Sequence, residues 1–215
     1  MSTPVSFASR TPSPGAPDGG PLVRLIDADQ APLLLRDLFA GGDPGPIVAA
    51  LAQVPELCLA SLPFIGAALG PSLVPIRLKE IAILRTSALL GCRYCVDAHT
   101  VVAMDVGFGP AELGVLRCEL EPLGRIENPV EAAVLAWVDA VAAGRGPLES
   151  SAEQAAEAAV RQHLEDHVIV ELTVTIGATL FLNRFATALR LPTSPETLQR
   201  LVEKGFDGWS GGVTS

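Results

Sequence analysis

The sequence predicts an all-α domain, roughly eight to ten helices being the sum of its segments, and three observations carry the fold class. Apolar residues recur at three- and four-residue spacing along most of the chain. Pro and Gly punctuate it at intervals suited to short connections between helices. Strand-like alternation is confined to one stretch, and that stretch lacks the turn residues a sheet needs.

The elements follow in order. Residues 1–21 are rich in Pro, Gly and Ser, with little apolar pattern, and are expected to form a disordered leader. A single packed domain is expected over 22–208. Asp43-Pro44 and Pro46 introduce a segment reaching Val54, and Pro55-Glu56 starts a helix that ends near Gly70. The stripe Ile76, Ile83, Leu84, Ser87 and Leu90 has helical period and stops at Gly91. A second helix begins near Cys92 and runs to Gly107, where Gly107-Phe108-Gly109-Pro110 breaks it. A short helix covers 111–119, and Pro129 opens another over 130–143, closed by Gly144-Arg145-Gly146-Pro147. Ser151 is the expected cap of a helix reaching Gln162.

The stretch 168–189 is the contested one. Val170, Leu172, Val174 and Ile176 alternate with Glu171, Thr173 and Thr175, which is the period of a strand. Only Gly177 interrupts it, and a twenty-residue strand would be abnormally long, so one long buried helix is expected. The last helix follows Ser194-Pro195-Glu196 and stops near Lys204-Gly205, with 209–215 as a flexible tail.

Composition excludes several functions. The net charge is −9 and Lys79 and Lys204 are the only lysines, which argues against nucleic-acid binding and against adsorption to anionic membranes. No uninterrupted apolar run reaches the ~20 residues of a membrane helix, because Glu171, Asn183 and Arg184 break the longest candidate. The first residues lack a signal-peptide core, so a cytoplasmic location is expected. No Gly-rich phosphate loop follows a strand, and no cofactor is expected.

Residues 80–99 gather the reactive chemistry: Cys92 and Cys95 at Cys-x-x-Cys spacing, His99 one turn further, and Glu80 among apolar residues. In a reducing compartment this spacing favours redox or metal chemistry over a permanent cross-link. Cysteines in a first helical turn face unpaired N–H groups, which lower a thiol pKa from ~8.5 by one unit or several. Glu80 lies eleven residues before Gly91, ~16 Å along a straight helix at 1.5 Å per residue. An antiparallel second helix returns Val102 to its side, with His99 within a turn. Glu80, His99 and Cys95 then form a proton relay, directly or through one water.

At these residues the chain resembles the carboxymuconolactone decarboxylase superfamily and, within it, the AhpD-like alkylhydroperoxidases. That branch carries a Glu, eleven intervening residues and Cys-x-x-Cys-x-x-x-His, met here by Glu80, Cys92, Cys95 and His99, with Tyr94 and Ala98 also typical. Asn128-Pro129, Glu131 and Ala136-Trp137 resemble the family's next helix. His163-Leu164, Glu171-Leu172 and Asn183-Arg184 resemble its long C-terminal one. The resemblance implies an AhpD-like helical bundle and a thiol-dependent peroxidase. Cys95 would attack the hydroperoxide, Cys92 would resolve the sulfenic acid to a disulfide, and Glu80 and His99 would relay the proton. It also implies an external dithiol reductant, dihydrolipoamide- or thioredoxin-like, and a homo-oligomer, trimer or hexamer. Tyr94 departs from the founding alkylhydroperoxidase, which has a further histidine between its cysteines.

Blander readings stand beside these. The cysteine pair alone also fits zinc or simple burial, and Glu80 would complete a Cys92, Cys95 and His99 ligand set. A redox-sensing or metal-stabilised interaction protein would use the same dithiol, and a lactone-decarboxylating lyase would not need it. Cys58 and Cys118 read as small core residues. His163 and His167 have the i, i+4 spacing of a metal clamp without the zinc-protease order. Asn183 and Arg184 read as structural hydrogen-bonding groups, Arg77 and Arg85 as partners of acidic neighbours, and Trp137 as core.

Overall fold

The computed structural model describes residues 19–122, 125–144 and 147–211. The first eighteen residues of the expected leader, residues 212–215 of the expected tail and Arg145-Gly146 lie outside that set. Two 3-10 turns, Ala28–Gln30 and Leu33–Leu35, lead into ten helices: α1 (Arg36–Phe39), α2 (Pro46–Leu51), α3 (Pro55–Leu69), α4 (Ile76–Leu89), α5 (Arg93–Asp105), α6 (Pro110–Leu116), α7 (Pro129–Ala143), α8 (Ser151–His163), α9 (Asp166–Ala188) and α10 (Pro195–Glu203). No strand occurs among the described residues.

The helix starts follow the sequence's own signals. Pro occupies the first turn of α2, α3, α6, α7 and α10, where its missing N–H costs no hydrogen bond. Asn128 caps α7 by accepting from the N–H groups of Val130 and Glu131. The cap of α8 is Ser150 rather than Ser151: its hydroxyl accepts from the Glu153 N–H while the Glu153 carboxylate accepts from the Ser150 N–H.

The α4 helix is the axle of the fold. Ten of its fourteen residues are buried, so α4 meets neighbours on nearly every side rather than along one stripe. It packs against α5, α7 and α9, and Ile81, Leu84, Val96, Val134, Leu172 and Ile176 meet in one core. Each such side chain contributes about 1.5–3 kcal/mol by leaving water. Polar pairs fix the orientation of α4 at its rim. Arg85 bonds Asp139 of α7 at 2.7 Å and the Val115 carbonyl in the last turn of α6 at 2.7 Å. Arg77 pairs with Glu131 at 2.6 Å and with Glu112. Lys79 is wholly buried, donating to the Gly70 carbonyl at 2.7 Å and pairing with Glu171 of α9 at 2.6 Å.

The long α9 helix replaces the strand that its alternation suggested. It is long and apolar enough, by length and composition, to cross a membrane. It packs against α3, α4, α5 and α7, burying Leu172, Ile176, Ala178, Leu182 and Ala186, while Val170, Val174 and Phe181 stay exposed.

Trp209 corrects the expected tail. The residue is 6% exposed, its backbone N–H donates to Asp97 of α5 at 2.7 Å, and its indole N–H donates to the Arg117 carbonyl at 3.0 Å. The packed chain therefore extends past Gly208. Cys118 is also more than a small filler: with φ +57° it takes the left-handed position that ends α6, with Glu119 N–H donating to the Gly114 carbonyl. Cys58 is fully buried among Leu35, Phe39 and Leu51, as expected.

Candidate functional site

The turn between α4 and α5 places the dithiol. Gly91 adopts φ +67°, its N–H donates to the Ala88 carbonyl at 3.1 Å, and the next N–H, of Cys92, donates to the Ser87 carbonyl at 3.0 Å. This is a Schellman motif, which satisfies the last carbonyls of α4 and needs a residue free of a Cβ penalty at Gly91. The chain reverses within three residues, so Cys92 stands at the N-cap of α5 and Cys95 in its first turn.

The antiparallel pairing brings Glu80 and His99 together, as the spacing required. His99 Nδ1 lies 3.0 Å from Glu80 Oε2, and Glu80 is 2% exposed. An ionised carboxylate only accepts, so Nδ1 carries the proton and Nε2 is left as the base. Among the described residues no hydrogen bond joins His99 to either sulfur; a proton gained by His99 favours the Cys92 thiolate through space.

Both thiols are free, and the two sulfurs lie 2.8 Å apart. They share the proton unequally. The hydrogen bond between the two sulfurs favours a thiolate on Cys92 and lowers its pKa from 9.0 to about 7, against the effect of burial, with help from the Cys95 backbone amide, Thr187 and a protonated His99. The Cys95 thiol is pushed up by that same hydrogen bond and by burial. The lowering expected of a first-turn cysteine thus falls on the N-cap residue. The pair gives up its first proton as a unit. Tyr94 is pushed up to about 12 by burial and by the two cysteines.

A second wall of the site comes from α9, which sequence analysis did not assign to it. Thr187 faces Cys92 and Asn183 faces Cys95, each favouring the thiolate form of its neighbour. These residues are four apart, hence on one face of the helix. The Asn183 amide also donates to Ser87 Oγ at 3.1 Å. The signal was present as a polar stripe at four-residue spacing, Thr175, Thr179, Asn183 and Thr187, on an otherwise apolar helix. A cavity of about 160 Å³ opens over Cys92, lined by Gly91, Arg93, Tyr94, Ala186, Thr187 and Arg190 among others. Arg190 takes φ +53° at the end of α9, where glycine is the usual residue.

The remaining candidates stand apart from this centre. No cluster of three or more His, Cys, Asp or Glu side chains suited to a metal occurs among the described residues. His163 closes α8 and His167 opens α9, so the two share no helix, and His167 pairs with Glu165 at 3.3 Å. Trp137 packs at the core's edge, its indole N–H donating to Thr173 at 3.1 Å.

Residues 55–140, from α3 into α7, match the carboxymuconolactone decarboxylase family. No protein of curated function matches the sequence. Among solved structures, an Agrobacterium tumefaciens protein of unknown function, with a suggested AhpD antioxidant-defence role, is 28% identical with TM-score 0.59, over 67% of this chain and 95% of its own. An alkylhydroperoxidase AhpD core protein, peroxidase-related, from Ralstonia eutropha JMP134 is 20% identical with TM-score 0.64, over 81% and 96%. The debrominase Bmp8, in complex with 2,3,4-tribromopyrrole, is 19% identical with TM-score 0.66, over 87% and 97%. The last two share the fold, and their names show that the fold serves more than one activity. The matched stretch includes the helices that carry Glu80, Cys92, Cys95 and His99, so the chain resembles the carboxymuconolactone decarboxylase family there, and it has the AhpD-like fold.

Proposed function

We propose that the protein is a thiol-dependent peroxidase that reduces hydroperoxides through a Cys92–Cys95 dithiol/disulfide cycle. The observation that supports it is the joint placement of two free thiols in contact and a histidine held by a buried glutamate on the same hairpin. The peroxidase-related relatives point the same way.

In the resting pair the charge sits on Cys92 and the proton on Cys95. The Cys95 proton passes to His99 Nε2 through a water, and the imidazolium is stabilised by Glu80. The Cys95 thiolate attacks the terminal oxygen of the hydroperoxide. The O–O bond breaks, the sulfur becomes a sulfenic acid, and the leaving alkoxide takes the proton from His99. The Cys92 thiolate then attacks the Cys95 sulfur, closing the disulfide, and the departing hydroxide takes a proton from solvent and leaves as water. An external dithiol, dihydrolipoamide- or thioredoxin-like, attacks the disulfide, becomes oxidised and restores both thiols. The cavity beside Cys92 is the opening through which that reductant reaches a sulfur. A cytoplasmic location supplies such dithiols. Exposed apolar residues on α3 (Leu57, Phe64) and α9 (Val170, Val174, Phe181) suit a homo-oligomer, a trimer or hexamer.

The test is dithiol-driven peroxide consumption with dihydrolipoamide and thioredoxin as reductants. Wild type turns over, and Cys92→Ser accumulates a sulfenic acid on Cys95, read by mass. Unchanged turnover in Cys95→Ser, or a sulfenic acid on Cys92 in that variant with none on Cys95 in Cys92→Ser, refutes the assignment.

A further inference from the structure

The Asn183 amide has a hydrogen-bonding pattern that packing alone does not explain. The Ser87 hydroxyl donates to the Ile83 carbonyl at 2.7 Å, so its oxygen is left to accept, and it accepts from Asn183 Nδ2 at 3.1 Å. This fixes the amide: its NH2 faces Ser87 and the Cys95 sulfur, and its oxygen points elsewhere. Asn183 Oδ1 is buried and has no hydrogen-bond partner, although the residue is 1% exposed. A buried acceptor left without a donor costs about 1–3 kcal/mol, so an O–H arriving there meets an acceptor already stripped of water. Asn183 lies one helical turn along α9 from Ala186 and Thr187, which line the cavity over Cys92, so a small molecule entering there comes toward it.

We propose that Asn183 is the substrate-orienting residue of the site, its Oδ1 accepting the terminal O–H of a hydroperoxide while its Nδ2 holds the Cys95 sulfur that attacks that same oxygen. The inference rests on the reading of Cys95 as the attacking thiol. It also narrows the substrate class, because the acceptor selects peroxides that carry an O–H over electrophiles that carry none. During attack the O–O bond breaks, the hydroxyl oxygen passes to sulfur with its own proton, and that O–H stays hydrogen-bonded to Oδ1 throughout. The sulfenic acid is therefore born already hydrogen-bonded, with Cys92 2.8 Å from the sulfur it must meet.

The experiment compares two reactions of the same thiol in Cys92→Ser: oxidation by cumene hydroperoxide, and methylthiolation by methyl methanethiosulfonate, which has no O–H. Asn183→Ala is expected to slow the first at least tenfold more than the second, and Ser87→Ala, which frees the amide to turn, is expected to do so by a smaller factor. Both variants keep their methylthiolation as the check that the site is folded. Equal slowing of the two reactions in both variants overturns the inference and leaves the peroxidase reading standing. If Cys92→Ser itself reacts with methyl methanethiosulfonate but with no hydroperoxide, both fall.

Discussion

Replacing Glu80 by Gln probes the relay at its buried end. Gln keeps the shape and an acceptor oxygen, so the His99 Nδ1–H retains a hydrogen bond while the charge 3.0 Å away is removed. Across that distance, an effective dielectric of about 20 gives an attraction of roughly 5 kcal/mol, which is an upper bound. The His99 side chain is 24% exposed, so water screens part of it. The difference between a charged and a neutral hydrogen bond is a better measure, about 1–2 kcal/mol. That is the stabilisation withdrawn from a protonated His99 as it holds the thiol proton. At about 1.4 kcal/mol per tenfold in rate, Glu80→Gln is expected to reduce hydroperoxides about five- to thirtyfold more slowly than wild type at pH 7. The assay is dihydrolipoamide-driven peroxide consumption, with thermal unfolding as the check on the fold. An unchanged rate in a folded Glu80→Gln protein refutes the relay.

Two further outcomes are expected. Iodoacetamide labelling of the reduced protein should rise with pH around a midpoint near 7, because the Cys95 S–H stabilises a thiolate on Cys92; Cys95→Ala removes that donor and should move the midpoint up, and an unmoved midpoint contradicts the shared proton. The folded value lies below the ordinary thiol value of 9.0, so Cys92 adds stability that is full above pH 9 and lost as pH falls through about 7, while the raised Cys95 opposes it above 9. At the end of α9, Arg190→Gly should raise stability by about 1 kcal/mol in urea unfolding, since a side chain at φ +53° carries the left-handed penalty that Gly avoids; a loss of that size would mean that the guanidinium is held by a contact worth more than the strain.

What the sequence made legible was whatever depends on local periodicity. The offset of Glu80 from Gly91 and of His99 beyond it fixes their meeting once the two helices run antiparallel, because a fixed rise per residue turns spacing into position. The Cys92 and Cys95 contact is legible for the same reason. Asn183 and Thr187 were not placed, because nothing local says that α9 packs across the α4–α5 turn; Asn183 is 96 residues from its partner Ser87. The strand-like alternation of Val170 to Ile176 mixes two faces of α9: Leu172 and Ile176, one turn apart, are buried, while Val170 and Val174, also one turn apart, are exposed. Cys118 packs against the core as expected, but its left-handed conformation leaves no mark in residue type. The pKa order of the two thiols depends on which one donates to the other, a matter of side-chain geometry that spacing does not specify.

The docking of Trp209 on α5 has an optical consequence. The sequence has two tryptophans, and Trp137 sits on α7 while Trp209 is anchored to Asp97, two residues from Cys95 on α5. A Trp137→Phe protein would emit from a single buried indole whose position reports the seating of the C-terminal segment on that helix. Turnover could then be followed alongside fluorescence in the same cuvette, so that chemistry at the sulfurs and loosening of their supporting helix are timed independently.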